Sequence, residues 1–149
     1  MTSSDIQNPQ VKGPVLGVDF GLNRTGLAVT DENARLAVGI KTIVGKTGRT
    51  LARAVADEAR LRKIETIVIG KPSGGRDVDL VINGADNLAE TLDRQGFRVV
   101  RWDEAFTTSA VLSDRKRIGG KATSGKNWID EAAAILILNS YIDNMNSGS

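Results

Sequence analysis

Apolar residues alternate with small or polar ones from Val15 to Phe20 (VLGVDF) and again from Thr25 to Thr30 (TGLAVT). This is the two-residue period of strands, and the Gly-Leu-Asn turn between them predicts an antiparallel hairpin. A third apolar stretch, Leu36 to Val44, follows the polar turn Asp31-Glu32-Asn33 and extends the meander. The period then changes. Between Thr50 and Ile64, Leu51, Val55 and Ala59 recur at i, i+4 and i+8 among charges, which predicts an amphipathic helix. Thr66 to Gly70 (TIVIG) is wholly apolar, largely β-branched and too short for a helix, as a central parallel strand covered on both faces should be.

Ile82, Ala85, Leu88, Ala89 and Leu92 fall at helical intervals between Asp79 and Gln95, with Gly96 placed to cap the end. Arg98 to Trp102 predicts a fifth strand. Thr107 or Thr108 is placed to cap a shorter helix ending near Ile118, Gly119 to Lys126 (GGKATSGK) reads as a flexible basic loop, and Asn127 to Asn144 as an apolar final helix. The order βββ-α-β-α-β-α-α predicts an α/β domain. Its sheet should be five-stranded and mixed, three antiparallel strands followed by two parallel ones, with helices on both faces.

A chain of 149 residues suits one cored domain. We expect it over 14–144, between a flexible polar segment, 1–13, broken by Pro9 and Gly13, and a small polar tail, 145–149. No apolar run reaches the roughly 18 residues of a membrane span, and the first residues lack the apolar block of a secretion signal. A soluble cytoplasmic protein without membrane association is the expectation.

The chain contains no Cys and no His. Thiol and imidazole catalysis, Ser-His-Asp triads, Cys or His zinc sites and disulfides are thereby excluded. Carboxylates, Lys, hydroxyls and a bound metal are left to carry any chemistry. Net charge is only +2, but its distribution is uneven. Between Ser113 and Asn127, Arg115, Lys116, Arg117, Lys121 and Lys126 are opposed by Asp114 alone. A run of charge usually marks solvated surface, but a basic glycine-containing loop is also suited to phosphate backbones.

Three acids stand out by position. Asp19 lies in an otherwise apolar strand, on the face shared with Val15 and Gly17, and Gly17 leaves space beside the carboxylate. Glu104 lies just past the fifth strand, where ligands of open α/β sheets gather. Asp130 and Glu131 open the final helix. Helix periodicity puts the polar face near Asn139, Ser140 and Asp143, away from both acids, and does not choose between them. Each acid has an ordinary reading: a turn acceptor, solvated surface, or a favourable charge at a helix N-terminus. Together they suggest carboxylates that share a cation, since buried carboxylates otherwise repel. Oxygen ligands alone suit Mg²⁺ or Mn²⁺, ions that activate water and stabilise the leaving oxygen of a phosphodiester.

Four blocks carry a resemblance: GVDFGLNRTGLAVTD at Gly17 to Asp31, IVIGKPSG at Ile67 to Gly74, WDEAFTTSAV at Trp102 to Val111, and IDEAAAILILNSYI at Ile129 to Ile142. In this order they resemble the YqgF/RuvX family, described both as Holliday junction resolvases and as pre-16S rRNA nucleases. The resemblance implies an RNase H-like fold and a metal-dependent nuclease whose acids fall on Asp19, Glu104 and Asp130, so it selects Asp130 over Glu131. It places Arg24 at a basic position after the first strand, and Thr107 and Thr108 at paired hydroxyls suited to phosphate contact. Two departures stand out. Ala105 replaces a basic residue after the Asp-Glu pair, and Lys71 replaces an apolar residue before Pro72. Lys71, Arg76 or the basic loop is a candidate to compensate at the substrate, and Arg115, Arg117, Lys121 and Lys126 are further candidate contacts to it.

Structured RNA, the precursor of small-subunit rRNA, is the substrate the resemblance favours, with a four-way DNA junction as the alternative. A monomer or a homodimer would serve, the latter for symmetric junction cutting. A binding module without catalysis is a further reading, kept open by Ala105. An ATP clamp of the actin and sugar-kinase kind also carries an acid followed by Gly in its first hairpin. It needs two such domains, however, and no GxxxxGK[ST] loop is present.

Overall fold

The computed structural model describes residues 13–106 and 123–147, with side chains over 13–105 and 129–146. Alternating sequence becomes β1 (Val15–Asp19), β2 (Arg24–Thr30) and β3 (Ala37–Val44). The helical periods become α1 (Gly48–Leu61) and α2 (Val78–Arg94), and β4 (Thr66–Lys71) and β5 (Arg98–Asp103) follow them. A single 3₁₀ turn, Glu104–Phe106, leaves β5, and the final helix α3 spans Thr123–Ser147.

The sheet runs in the order β3-β2-β1-β4-β5. β1 pairs antiparallel with β2 and parallel with β4, so it is the strand at which the two halves meet. The fold is RNase H-like, as expected, with helices on both faces. Strand alternation sorts the core into two layers. Leu16, Val18, Ile67 and Ile69 pack under α1 and α2, with Leu51, Val55, Leu88 and Leu92. Val15, Ala28 and Val68 pack on the other face against Ala134, Ile137, Leu138 and Tyr141 of α3. Trp102 joins this second layer, edge-on to Tyr141 with centroids 5.6 Å apart, its indole N–H donating to Ser140. It is a packing residue, not an exposed stacking platform.

One expectation needs correction. The sequence pattern extends the basic loop to Lys126, whereas α3 already begins at Thr123. The Ser, Thr and Gly that look like loop are drawn into the first turn, where Gly125 costs about 1 kcal/mol relative to Ala. The rest of that loop, with Lys121, lies outside the described residues, as do Thr107, Thr108, the helix expected to follow them, and Arg115 and Arg117. No helix among the described residues is long and apolar enough to cross a membrane.

Candidate functional site

Asp19 ends β1 on the face that α3 covers. Across the β1–β2 ladder its partner is Gly26. On the other side Val18 is level with Ile69, so the next residue, Gly70, lies beside Asp19. Directly paired residues share a face, so the half-buried Asp19 carboxylate is flanked on both sides by positions with no side chain.

Each gap is occupied from above by an element carrying one of the other acids. A Cβ on Gly26 would strike the Asp130 carbonyl and stand 3.0 Å from the Asp130 Cβ. A Cβ on Gly70 would stand 3.2 Å from Glu104 Oε2 and 2.5 Å from Ile137 Cδ1. Asp130 therefore leans over β2, Glu104 over β4, and Asp19 lies between them. With strands about 4.8 Å apart, the two outer acids arise roughly 10 Å from one another across the strand bearing the third.

Local chemistry explains why Glu104 points inward and its neighbour does not. Asp103 Oδ1 accepts the Ala105 N–H at 2.9 Å, closing the turn that leaves β5. Glu104, two residues after the inward-facing Trp102, is carried to the α3 face. The choice between Asp130 and Glu131 is also visible. Glu131 sits over Gly39 of the edge strand, its Oε1 2.7 Å from where a Cβ would be, and Gly39 pairs with Ala28 rather than with the Asp19 row.

Arg24, the first residue of β2, shares a face with Gly26 and reaches up to the helix. Its Nε donates to Asp130 Oδ2 at 2.7 Å, with both side chains partly buried. Arg24 thus supplies a positive charge to one acid of the row. Among the described residues no three acidic side chains are gathered closely enough to hold a metal ion. The fold brings the three acids to one rim without closing them on one point. Lys71 is placed elsewhere: Gly70 faces α3, so alternation sends the exposed Lys71 toward the face of Ile69.

Nothing in the sequence pattern marks the two glycines flanking Asp19 as part of the site. The pattern points instead to Gly17, which faces Leu138 and the Ala134 carbonyl, admitting α3 to the sheet rather than opening space at the acid. The missing signal was register, since Gly26 and Gly70 acquire meaning only once paired with Asp19.

A family model described as "RuvX: Holliday junction resolvase" matches residues 13–144. The chain belongs to the RuvX family. Among its relatives, a protein of Syntrophus aciditrophicus named "Putative pre-16S rRNA nuclease" is 34% identical over 134 residues, covering 87% of each chain. A Mycobacterium tuberculosis protein of the same name is 32% identical over 138 residues, covering 89% of this chain and 79% of that one. Among solved structures, T. thermophilus RuvC in complex with a Holliday junction substrate superposes with a TM-score of 0.60 at 16% identity. That likeness covers 90% of this chain and 97% of RuvC, and it supports the RNase H-like fold. This RuvX chain thus joins a family whose members are named for cutting nucleic acid.

Proposed function

We propose that this RuvX protein is a divalent-metal-dependent nuclease that hydrolyses phosphodiester bonds in structured nucleic acid, with Asp19, Glu104 and Asp130 as its acidic centre. The observation carrying this reading is the register of Asp19 between Gly26 and Gly70, with Asp130 and Glu104 brought over those two gaps. Three carboxylates and no nitrogen or sulfur donor form a ligand set suited to a hard cation, Mg²⁺ or Mn²⁺. The side-chain-free positions beside Asp19 let the elements bearing Asp130 and Glu104 approach it, and a cation shared by all three acids would draw them closer together. When bound, such an ion supplies charge stabilisation and water activation at a phosphodiester.

The chain's own residues contribute binding and orientation. The acids hold their positions on rigid elements: a strand end, a capped turn and a helix that touches the sheet. Arg24 offsets Asp130 while no other cation is present, and it is positioned to turn to a substrate phosphate once Asp130 is otherwise neutralised. Thr107, Thr108, Arg115, Arg117, Lys121 and Lys126 belong to this reading as phosphate contacts on the strength of their sequence positions. Lys71, facing the other side of the sheet, is the weakest of the proposed contacts.

The substrate we favour is the 5′ region of the small-subunit rRNA precursor, supported by the names of the relatives, with the cytoplasm, where ribosomes are assembled, as its place of action. A four-way DNA junction is the second reading, supported by the description of the family model. The test is cleavage of a precursor rRNA fragment and of a synthetic junction with Mg²⁺ or Mn²⁺, native chain against Asp19→Asn. Cleavage of RNA by the native chain, lost in the variant while thermal unfolding is retained, is expected. Undiminished cutting by Asp19→Asn would remove the acidic row from the mechanism, and paired symmetric cuts in the junction would favour a dimeric resolvase.

A further inference from the structure

The face of the sheet opposite the acids carries a second cationic feature. α1 and α2 pack side by side there over the Leu16 and Ile67 layer. Between them runs a groove of about 510 Å³, lined by Arg49, Thr50 and Arg53 of α1 and by Thr91, Arg94 and Gln95 at the end of α2. Three of these six residues are arginines and none is acidic.

The placement of the arginines is unfavourable for the fold taken alone. Arg49 is the second residue of α1, at the positive end of the helix dipole, and no acid stands in that first turn to offset it. Arg49 and Arg53 are one turn apart, where like charges destabilise a helix by about 0.2–0.5 kcal/mol. Among the described residues neither forms an ion pair, not even with Asp57 one turn beyond Arg53. Arg94, which pairs with Glu90, brings a third guanidinium to the same groove. Gln95 accepts from Arg60 through Oε1 at 3.0 Å, which directs its amide N–H groups away from Arg60. Through Gln95 the groove continues into a second one, of about 360 Å³, that adds Arg60 and Arg98 and also one acid, Glu65.

We infer that the α1–α2 groove is a second phosphate-binding track, which holds the backbone of a nucleic-acid segment remote from the one at the acidic row. Guanidinium forks match phosphate oxygens two at a time, and contacts of this kind read charge and spacing rather than sequence. Bound phosphates would neutralise the repulsion between Arg49, Arg53 and Arg94. A folded RNA or a branched DNA presents more than one arm, and a track on the far face lets the protein grip an arm that it does not cut. The inference rests on the chain binding nucleic acid and not on which bond it hydrolyses.

The test is binding of a labelled RNA with two hairpin arms to the full chain, in chelator so that the RNA stays intact, over a series of salt concentrations. Arg49→Gln/Arg53→Gln is expected to weaken binding about tenfold at low salt and to make the slope of log K against log salt shallower by about 1.8. Arg49→Lys/Arg53→Lys, which keeps both charges, should retain most of the slope. All four substitutions lie on exposed helix positions, and unchanged thermal unfolding would show that the fold is kept. An unaltered affinity and slope in the Gln variant would overturn the proposal, leaving the arginines as solvated surface or as contacts to an acidic protein. Failure of the nuclease reading would look different: no cleavage by the native chain in the separate assay with Mg²⁺ or Mn²⁺, with the salt response of the Gln variant still reduced.

Discussion

Arg24 Nε and Asp130 Oδ2, 106 residues apart in sequence, meet at 2.7 Å across the junction of β2 and α3. The pair ties the helix bearing one acid to the hairpin bearing another, and a divalent ion at the acidic row would compete with the guanidinium for that carboxylate. Arg24→Gln should therefore lower stability by no more than about 1 kcal/mol, since both groups are partly solvated. It should also increase the rise in Tm produced by Mg²⁺ or Mn²⁺ above that of the native chain. Melting curves with and without the ion check this, and equal shifts in the two proteins would count against competition at Asp130.

Gly26 admits the backbone of α3 at Asp130, and a methyl group there would strike the Asp130 carbonyl group first and then its Cβ. Gly26→Ala should destabilise by about 1–3 kcal/mol and reduce cleavage, because the helix must lift away from Asp19. Gly74→Ala is the control, since its Cβ meets nothing within 4 Å, and it should leave both properties unchanged. Denaturant unfolding of the two variants measures the difference.

Gly84→Ala offers a contrast within α2. Its Cβ would meet the ring of Phe20, the residue after Asp19, and a ring tip moves more easily than a backbone. The collision is opposed by the gain of about 1 kcal/mol from replacing a mid-helix glycine. Stability within about 1 kcal/mol of native is expected. A loss as large as that of Gly26→Ala would show that Phe20 is held rigidly beside the acid.

Glu58 of α1 accepts from Lys41 Nζ at 3.1 Å and from Arg62 Nη1 at 2.5 Å. Burial pushes its carboxyl up, but the hydrogen bonds from Lys41 and Arg62 outweigh burial and hold it below the ordinary glutamate range. A pKa lower in the folded than in the unfolded chain means stability present above the unfolded value and lost as pH falls through the folded one. Glu58→Gln should thus cost up to about 1 kcal/mol at neutral pH. In strong acid, where the native carboxyl is protonated too, the gap should close, and unfolding curves at the two pH values test it.

Arg101 on β5 pairs with Asp86, yet its Nε and Nη2 are buried with no hydrogen-bond partner among the described residues. Unsatisfied buried donors cost about 1–3 kcal/mol, more than a partly exposed ion pair returns. Arg101→Met is expected to match or exceed native stability. A clear drop in Tm would mean that the Asp86 contact outweighs the orphaned donors.

Much of this architecture was legible along the chain because its signals are local. The two-residue period of VLGVDF assigned Asp19 to the face of Val15 and Gly17, and the apolar run TIVIG marked a central strand, both as the structure has them. Helical spacing likewise put Asn139 and Asp143 on the exposed side of α3, but Ser140, read with them, is half-buried and accepts the Trp102 indole N–H. What depended on pairing between distant elements was not legible. Periodicity left Asp130 and Glu131 equivalent, and they separate only because β2 lies beside β1 and β3 beyond it, so that one acid reaches the Asp19 row and the other the sheet edge. Gly26 and Gly70 read as unremarkable strand glycines until register brings them level with Asp19. The face of Lys71 and the convergence of Arg49, Arg53 and Arg94 on one groove were equally hidden. A side chain's direction follows from its own few neighbours in sequence, but what it meets is set by how strands align and helices cross.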